Sequence, residues 1–254
     1  YVNDVKPYVH YTSILPNPEQ IKGIRKLIYQ LKYKLIYSWL PLRLVYKWFV
    51  PHHADVEIAF VEGFATKLLA HSTNKQAKKI AWVHTDFEKH HWTNVIFKNK
   101  QNEEQTYSRY HQIVTVSVTV QKAFIKAFPL VKSLVKIIYN PIDHEDIIKK
   151  GKQYEPLPSK SKIRLISIGR LTKVKAYSRL LHIALRLKQS GYAFELWILG
   201  DGEEREMLQH YICKKQLEDC VTLWGFQTNP YAFMTQSDLF VCSSISEGYL
   251  FVII

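Results

Sequence analysis

Cysteine is scarce in this chain, and the scarcity excludes two classes of protein. Only three cysteines occur in 254 residues, which is too few for a disulfide-bonded scaffold. They form no CxxC pair and no other spacing that is typical of a zinc site. Isolated thiols fit a reducing compartment, so we expect a cytoplasmic protein. The three residues are Cys213, Cys220 and Cys242.

The chain also has no long uncharged apolar run. A membrane-spanning helix needs about 18 or more such residues in succession, and no stretch of this kind exists. No basic start followed by an apolar stretch indicates a secretory signal. The 47% of hydrophobic residues is nevertheless ample for the core of one large domain or two ordinary ones.

Acidic residues are few relative to basic ones. The chain has 35 Lys and Arg against 22 Asp and Glu, a net charge of +13. The segment from Ile21 to Val50 has seven basic residues, seven aromatic residues and no acidic residue. Such a composition suits contact with an anionic lipid surface, here the inner face of the plasma membrane. An ordinary amphipathic helix that packs on its own sheet is the alternative interpretation.

Short apolar runs alternate with helical patterns, which predicts parallel βα units. Apolar residues at helical spacing predict a first helix over residues 21–39, which Pro41 interrupts. One series then has strands at 56–60, 79–83, 113–117 and 135–139, with helices around 66–72, 103–111 and 120–128. A second series has strands at 163–168, 194–199, 221–223 and 238–242.

A polar stretch with Pro156 and Pro158 separates the two series. We therefore predict an α/β protein with two domains. The N-terminal domain covers residues 1–150, a linker covers 151–162, and the C-terminal domain covers 163–254.

Four short motifs follow the strands of the second series. Ligands bind beyond the carboxyl ends of strands in open parallel sheets, so all four are expected at one ligand site. Cations there can hold phosphate oxygens, glycines permit close backbone approach, and a carboxylate can accept hydrogen bonds from hydroxyl groups. The motifs are Gly169-Arg170-Leu171 with Lys175, Gly200-Asp201-Gly202-Glu203, residues 225–230, and Ser246-Glu247-Gly248.

Each motif by itself has an ordinary alternative. Arg170 and Lys175 could be two solvated surface cations, and the glycine-bearing segments could be plain strand-to-helix turns. Glu247 could be a carboxylate at a helix N-terminus. The combination and its order favour a site for a sugar nucleotide.

The four motifs together resemble the donor domain of family 4 retaining glycosyltransferases, which have the GT-B architecture. The resemblance implies two Rossmann-like parallel-sheet domains that face a cleft. It implies that Arg170 and Lys175 bind the donor diphosphate and that Glu247 lies near the transferred sugar. Ala176 stands where the family usually has glycine. The other residues implied in donor sugar or nucleotide binding are Gly169, Gly200, Asp201, Gly202, Phe226, Asn229, Pro230, Ser246 and Gly248.

The family's second glutamate would fall at position 255, just past the last residue of this sequence. The family's first strand, with its glycine-rich loop, has no counterpart at the start of the chain. The resemblance therefore implies that both domains are incomplete in this chain.

The first half resembles the same family more weakly, and most closely its transferases for bacterial capsular and other surface polysaccharides. His84 follows an apolar strand, as does the family's acceptor-domain histidine near the reacting sugar. The resemblance implies sugar transfer with retention from a UDP-sugar to a lipid-linked or saccharide acceptor. It implies neither a cofactor nor a required metal, because the two cations and a helix dipole take the metal's place.

Two other functions remain open from the residues. The segment around His84 is rich in metal-ligating side chains, which would suit a metal-dependent hydrolase. The basic charge with interleaved aromatics would suit a nucleic-acid-binding protein, although no recognised motif supports it and we expect no nucleic-acid partner. The candidate metal ligands are His84, Asp86, Glu88, His90 and His91.

Overall fold

The computed structural model describes residues 8–18, 21–51, 53–153, 158 and 162–245. Contacts between Cα atoms divide the chain into two units. The first unit contains the described residues up to His84, together with His91–Ile138. The second contains Thr85–His90 and the described residues from Tyr139 onward. Each unit is built on its own parallel sheet, so the predicted pair of α/β domains is confirmed.

The first sheet has four parallel strands in the order in which they occur along the chain. Every predicted strand of this series is present, although the third and fourth end two residues earlier than expected. On β1 and the second half of β2, buried side chains alternate with more exposed ones, which is the period of a strand. The strands are β1 (Val56–Ala59), β2 (Lys78–Val83), β3 (Gln112–Thr115) and β4 (Val135–Ile137).

Two helices of the first unit begin where a polar side chain satisfies a free amide of the first turn. Asn99 accepts a hydrogen bond from the amide of Asn102, and Ser117 accepts one from the amide of Val120. Because of these caps, both helices begin two or three residues before the ranges expected from their apolar patterns. The helices are α1 (Ile24–Lys34), α2 (Leu42–Phe49), α3 (Phe64–Leu69), α4 (Lys100–Tyr107) and α5 (Val118–Ala127). A π-helical turn (Leu35–Trp39) follows α1, and 3-10 turns lie at Trp92–Val95 and Pro129–Leu134.

The second sheet has the order β7-β6-β5-β8, so the chain crosses from one side of β5 to the other before its last described strand. The shift of strand order places the carboxyl ends of β5 and β8 side by side. The strands are β5 (Ile163–Ile168), β6 (Phe194–Leu199), β7 (Val221–Gly225) and β8 (Leu239–Phe240). The helices are α6 (His144–Gly151), α7 (Tyr177–Gln189), α8 (Arg205–Lys214) and α9 (Pro230–Thr235), and a 3-10 turn covers Lys173–Lys175.

Helix α6 packs against α9 and belongs to the second unit. Asn229 Nδ2 donates to the carbonyl of Lys150 at 2.9 Å, and Thr235 Oγ1 donates to the carbonyl of Gly151 at 3.1 Å. These bonds place residues 144–150 with the second sheet, although they fall within the range 1–150 expected for the N-terminal domain. Most of the expected linker 151–162 lies outside the described residues.

A buried arginine ties β5 to its surroundings. Arg164 is 1% exposed, and its Nε lies 3.0 Å from Glu195 Oε2 on β6. Its guanidinium stacks on the ring of Trp197 at 3.9 Å and donates to the carbonyl of Pro158 at 3.1 Å. The charge is therefore paired and hydrogen-bonded, as a buried charge requires.

No helix in the described part of the chain is both long enough and apolar enough to cross a lipid bilayer.

Candidate active site

Three of the four predicted motifs follow the strands β5, β6 and β7 of the second sheet. Because these strands are parallel, their carboxyl ends meet at one edge. Gly169 and Arg170 follow β5, Gly200 and Asp201 follow β6, and Gly225 ends β7. The structure thus brings together the motifs that the sequence separates by about thirty residues each.

The loops after β5 and β6 are joined by backbone hydrogen bonds. The amide of Leu171 donates to the carbonyl of Asp201, and the amide of Glu204 donates to the carbonyl of Leu171, both at 3.0 Å. A Cβ on Gly200 would lie 2.0 Å from the carbonyl oxygen of Gly169, and one on Gly202 would lie 2.5 Å from that of Leu171. Gly200 and Gly202 were expected to let a ligand approach the backbone. In the structure, their missing side chains allow the loops after β5 and β6 to contact each other.

The two predicted diphosphate ligands lie in the first of these loops. Arg170 is exposed, and Lys175 is half-buried at the end of the 3-10 turn Lys173–Lys175. A Cβ on Gly169 would lie 3.3 Å from Lys175 Cε, so the missing side chain leaves room for the lysine stem. The stem of Lys175 therefore packs over Gly169, the residue before Arg170. This packing keeps both cations beside the end of β5.

Ala176 adopts a left-handed conformation between this turn and α7, with φ 51° and ψ 42°. Glycine adopts such a conformation without steric cost, which explains why glycine is usual here in the family the sequence resembles. Ala176 occupies the N-cap position of α7, and no side chain caps the free amides of the first turn. The amides of the first turn of a 13-residue helix therefore follow Lys175 directly, an arrangement that favours anions.

The segment after β8 is held against the same turn. Ser243 Oγ donates to the carbonyl of Lys175, and the amide of Ile245 donates to the carbonyl of Val174, both at 2.8 Å. The residues just before the fourth motif therefore lie beside Lys175. Ser246, Glu247 and Gly248 lie outside the described residues, and their predicted roles stay predictions.

The third motif has a structural use that the sequence did not reveal. Besides the carbonyl of Lys150, the Asn229 amide contacts Gln153 Oε1 at 3.0 Å, and Pro230 is the first residue of α9. Asn229 therefore holds the start of α9 to α6 and the residues just after it. Phe226 is 62% exposed beside them, and nucleotide binding by these three residues stays a prediction.

His84 lies in the first unit, directly after β2, and is half-buried. Its backbone amide donates to Glu62 Oε1 at 2.5 Å, and its ring centroid lies 5.0 Å from that of Phe60. Burial lowers the pKa of His84, while the negative charge of Glu62 acts in the opposite direction. The imidazole is therefore neutral at physiological pH and can accept a proton.

Two of the candidate metal ligands near His84 in the sequence are bonded to other groups. Asp86 Oδ1 accepts the amides of Glu88 and Lys89 at 3.0 and 3.2 Å, a local turn. His91 Nε2 lies 2.8 Å from Glu103 Oε2. Within the described residues, no three His, Cys, Asp or Glu side chains converge to hold a metal ion. The metal-dependent hydrolase therefore has no assembled ligand set there.

The family described as Glycosyl transferases group 1 matches residues 147–253 of the chain. Residues 147–253 form a glycosyl transferases group 1 domain. This glycosyltransferase domain contains Arg170, Lys175 and all four motifs, whereas His84 lies outside it.

Two curated relatives extend the similarity beyond that domain. An uncharacterized glycosyltransferase of Methanocaldococcus jannaschii is 28% identical over 205 residues, which are 78% of this chain and 50% of the relative. A second relative, from Campylobacter jejuni, is 35% identical over 130 residues, 51% of this chain and 34% of the relative. That protein is named N-acetylgalactosamine-N,N'-diacetylbacillosaminyl-diphospho-undecaprenol 4-alpha-N-acetylgalactosaminyltransferase. The chain thus spans half or less of the length of these relatives.

The fold is shared with a solved structure, that of Anabaena HepE in complex with UDP and glucose. The two proteins are 19% identical, and the match covers 92% of this chain and 61% of the other with a TM-score of 0.63. The fold expected from the sequence, two parallel α/β domains of the GT-B type, is therefore confirmed.

Sequence reasoning missed Glu62. It lies just after β1 and before Gly63, as Asp201 lies just after β6 and before Gly202. The same pattern of an acidic residue and glycine after a strand could have drawn attention to it.

Proposed function

We propose that this chain belongs to a glycosyltransferase that transfers a sugar, with retention, from UDP-sugar to a lipid-linked or saccharide acceptor. One observation carries the proposal. Arg170 and Lys175 lie together beyond β5 and directly before the uncapped N-terminus of α7, within a glycosyl transferases group 1 domain. Two cations and a helix N-terminus form a binding place for a diphosphate.

The proposed chemistry follows from where charge develops. As the sugar–oxygen bond breaks, negative charge collects on the departing UDP, and Arg170 and Lys175 stabilise it. Glu247 contacts the transferred sugar, and His84 lies near the reacting sugar. No metal is required in this scheme, because the cations and the dipole of α7 neutralise the diphosphate.

The relatives support the choice of donor and acceptor. The HepE structure holds UDP and glucose, and the name of the Campylobacter jejuni relative includes a sugar on diphospho-undecaprenol. We propose a similar lipid-linked saccharide for this protein, in the synthesis of a capsule or another surface polysaccharide.

A thermal-shift panel tests the donor site. We expect UDP to raise the melting temperature by roughly 5–10 °C at about 100 times its dissociation constant, since this degree of saturation stabilises the folded state by about 2.7 kcal/mol. UMP should give a smaller shift, and EDTA should leave the UDP shift unchanged. No shift with any nucleoside diphosphate, or a shift that EDTA abolishes, would contradict the proposal.

We propose that α1 and α2 form a surface for anionic lipid. No side chain of α1 is buried, and apolar residues of both helices are exposed. A groove of about 670 Å³ lies between these helices and the segment before α1, with Arg25 and Lys32 on its lining. Exposed apolar area bordered by cations complements a bilayer with anionic headgroups. Such contact would place the enzyme at the inner face of the plasma membrane. The exposed residues are Ile24, Leu27, Ile28, Leu31, Tyr33, Leu44, Trp48 and Phe49.

Flotation with vesicles tests this surface. We expect the protein to float with phosphatidylglycerol vesicles but not with phosphatidylcholine vesicles. Changing Arg25 and Lys32 to glutamine should weaken binding about 30-fold, because each cation near the membrane contributes about 1 kcal/mol. The same change at the exposed pair Lys214 and Lys215, at the C-terminal end of α8, is the control. Equal losses in both variants, or binding of RNA in preference to vesicles, would overturn the assignment.

A further inference from the structure

Glu62 is a buried carboxylate at the carboxyl end of β1, and the turn that carries it has little room to move. Its side chain is 4% exposed. The next residue, Gly63, has φ 87°, and a Cβ there would lie 2.7 Å from Ile96 Cδ1 and 2.9 Å from Trp92 Cη2. The 3-10 turn Trp92–Val95 and the residue after it therefore close over the turn and keep Glu62 in place.

The carboxylate is bonded to the residue proposed to act near the sugar. Strands β1 and β2 are parallel neighbours, so Glu62 and His84 follow them at the same edge of the sheet. Glu62 Oε1 accepts the backbone N–H of His84, the first amide beyond β2. A charge-assisted bond of this kind fixes how the peptide after the strand is oriented.

The same carboxylate acts on His84 through its charge. Glu62 raises the pKa of His84 against the opposing effect of burial. On the other side, Glu62 and Glu103 act with burial to raise the pKa of Tyr107 on α4, so that phenol stays neutral.

We propose that Glu62 is a positioning residue for His84, whose buried carboxylate orients the peptide that carries the imidazole and keeps a negative charge beside the ring. This inference rests on the proposed role of His84 in sugar transfer. The charge allows a half-buried imidazole to gain and lose a proton, and the bond holds the ring at one height above the sheet edge.

Glu62→Gln separates the charge from the bond, because glutamine retains a carbonyl oxygen that can accept the His84 amide. The readout is the pH titration of the His84 ring by NMR without substrate, assigned by its loss in His84→Asn. We expect the midpoint to move to lower pH in Glu62→Gln and to stay near that of the original protein in Glu62→Asp, which keeps the charge. In sugar transfer, kcat should fall about tenfold or more while the KM for UDP-sugar is unchanged.

Glu104→Gln is the matched control. Glu104 is also a buried carboxylate, and its Oε1 accepts the amide of Leu130 at 2.8 Å. It makes the same kind of bond, yet it does not shift the pKa of His84. An unchanged midpoint in Glu62→Gln, or an equal change in Glu104→Gln, would overturn the proposal. Because the titration needs no donor or acceptor, it can fail or succeed independently of the proposed transferase activity.

Discussion

Replacing Arg170 by alanine is expected to weaken UDP binding by about 10- to 150-fold, which corresponds to the 1.5–3 kcal/mol of a hydrogen bond to a charged group. Arg170 is exposed beyond β5, so its loss removes a phosphate contact without opening a cavity in the core. Lys175→Ala should give a loss of the same order, because we propose that both cations bind one diphosphate. Isothermal titration of UDP into each variant measures the effect.

Lys173 provides the control for both variants. It is an exposed lysine in the same 3-10 turn as Lys175. Lys173→Ala removes one positive charge at nearly the same place in the fold, and it should leave UDP affinity within about twofold because exposed charges interact weakly through water. A comparable loss in all three variants would mean that UDP senses only the general charge of the loop, which would contradict the assigned contacts.

The second large effect is expected at Gly200. Gly200→Ala should lower the free energy of unfolding by more than about 4 kcal/mol, the range of exceptional single substitutions. The residue has φ 134°, and the added Cβ would lie 2.0 Å from the carbonyl oxygen of Gly169 and 2.9 Å from its carbonyl carbon. Backbone atoms cannot rotate away as a side chain can, so the two loops must separate. Urea denaturation of the two proteins gives the difference.

Gly191 distinguishes backbone strain from this clash. It has φ 79°, and a Cβ there would meet no atom within 4 Å. Gly191→Ala should therefore cost only the left-handed conformation, about 1–2 kcal/mol. If the two substitutions had equal effects, the close approach of the loops after β5 and β6 would not be the cause. A loss of UDP binding in folded Gly200→Ala would further link that approach to the donor site.

Much of the architecture could be predicted from local pattern. All eight strands of the two series were predicted, because runs of apolar residues with the period of a strand are a local property. Helix ends were predicted less well. Helix α4 starts at Lys100, three residues before the expected range, because the Asn99 side chain caps its first turn. The 3-10 turns have no apolar period and were not predicted.

In the candidate site, too, some features could be predicted from local sequence and others could not. Arg170 and Lys175 lie in one loop beside β5, as the order of the motifs implied. Nucleotide binding by Asn229 and Pro230 stays a prediction, and the structure adds that Asn229 bonds to Lys150 and Gln153, residues nearly eighty positions away. No local pattern could reveal that contact, since it depends on where α6 docks.

Local sequence is enough to predict the strand and helix periods, the order of four motifs after four strands, and the placement of two cations before a helix. These are properties of near neighbours along the chain, where side-chain spacing sets which face is apolar. Three other features become visible only in the folded chain: Gly200 contacts Gly169, the charge of Arg164 is buried against Glu195, and Glu62 accepts the His84 amide. Each of these joins residues more than twenty positions apart, and such contacts form only when whole strands and loops pack together.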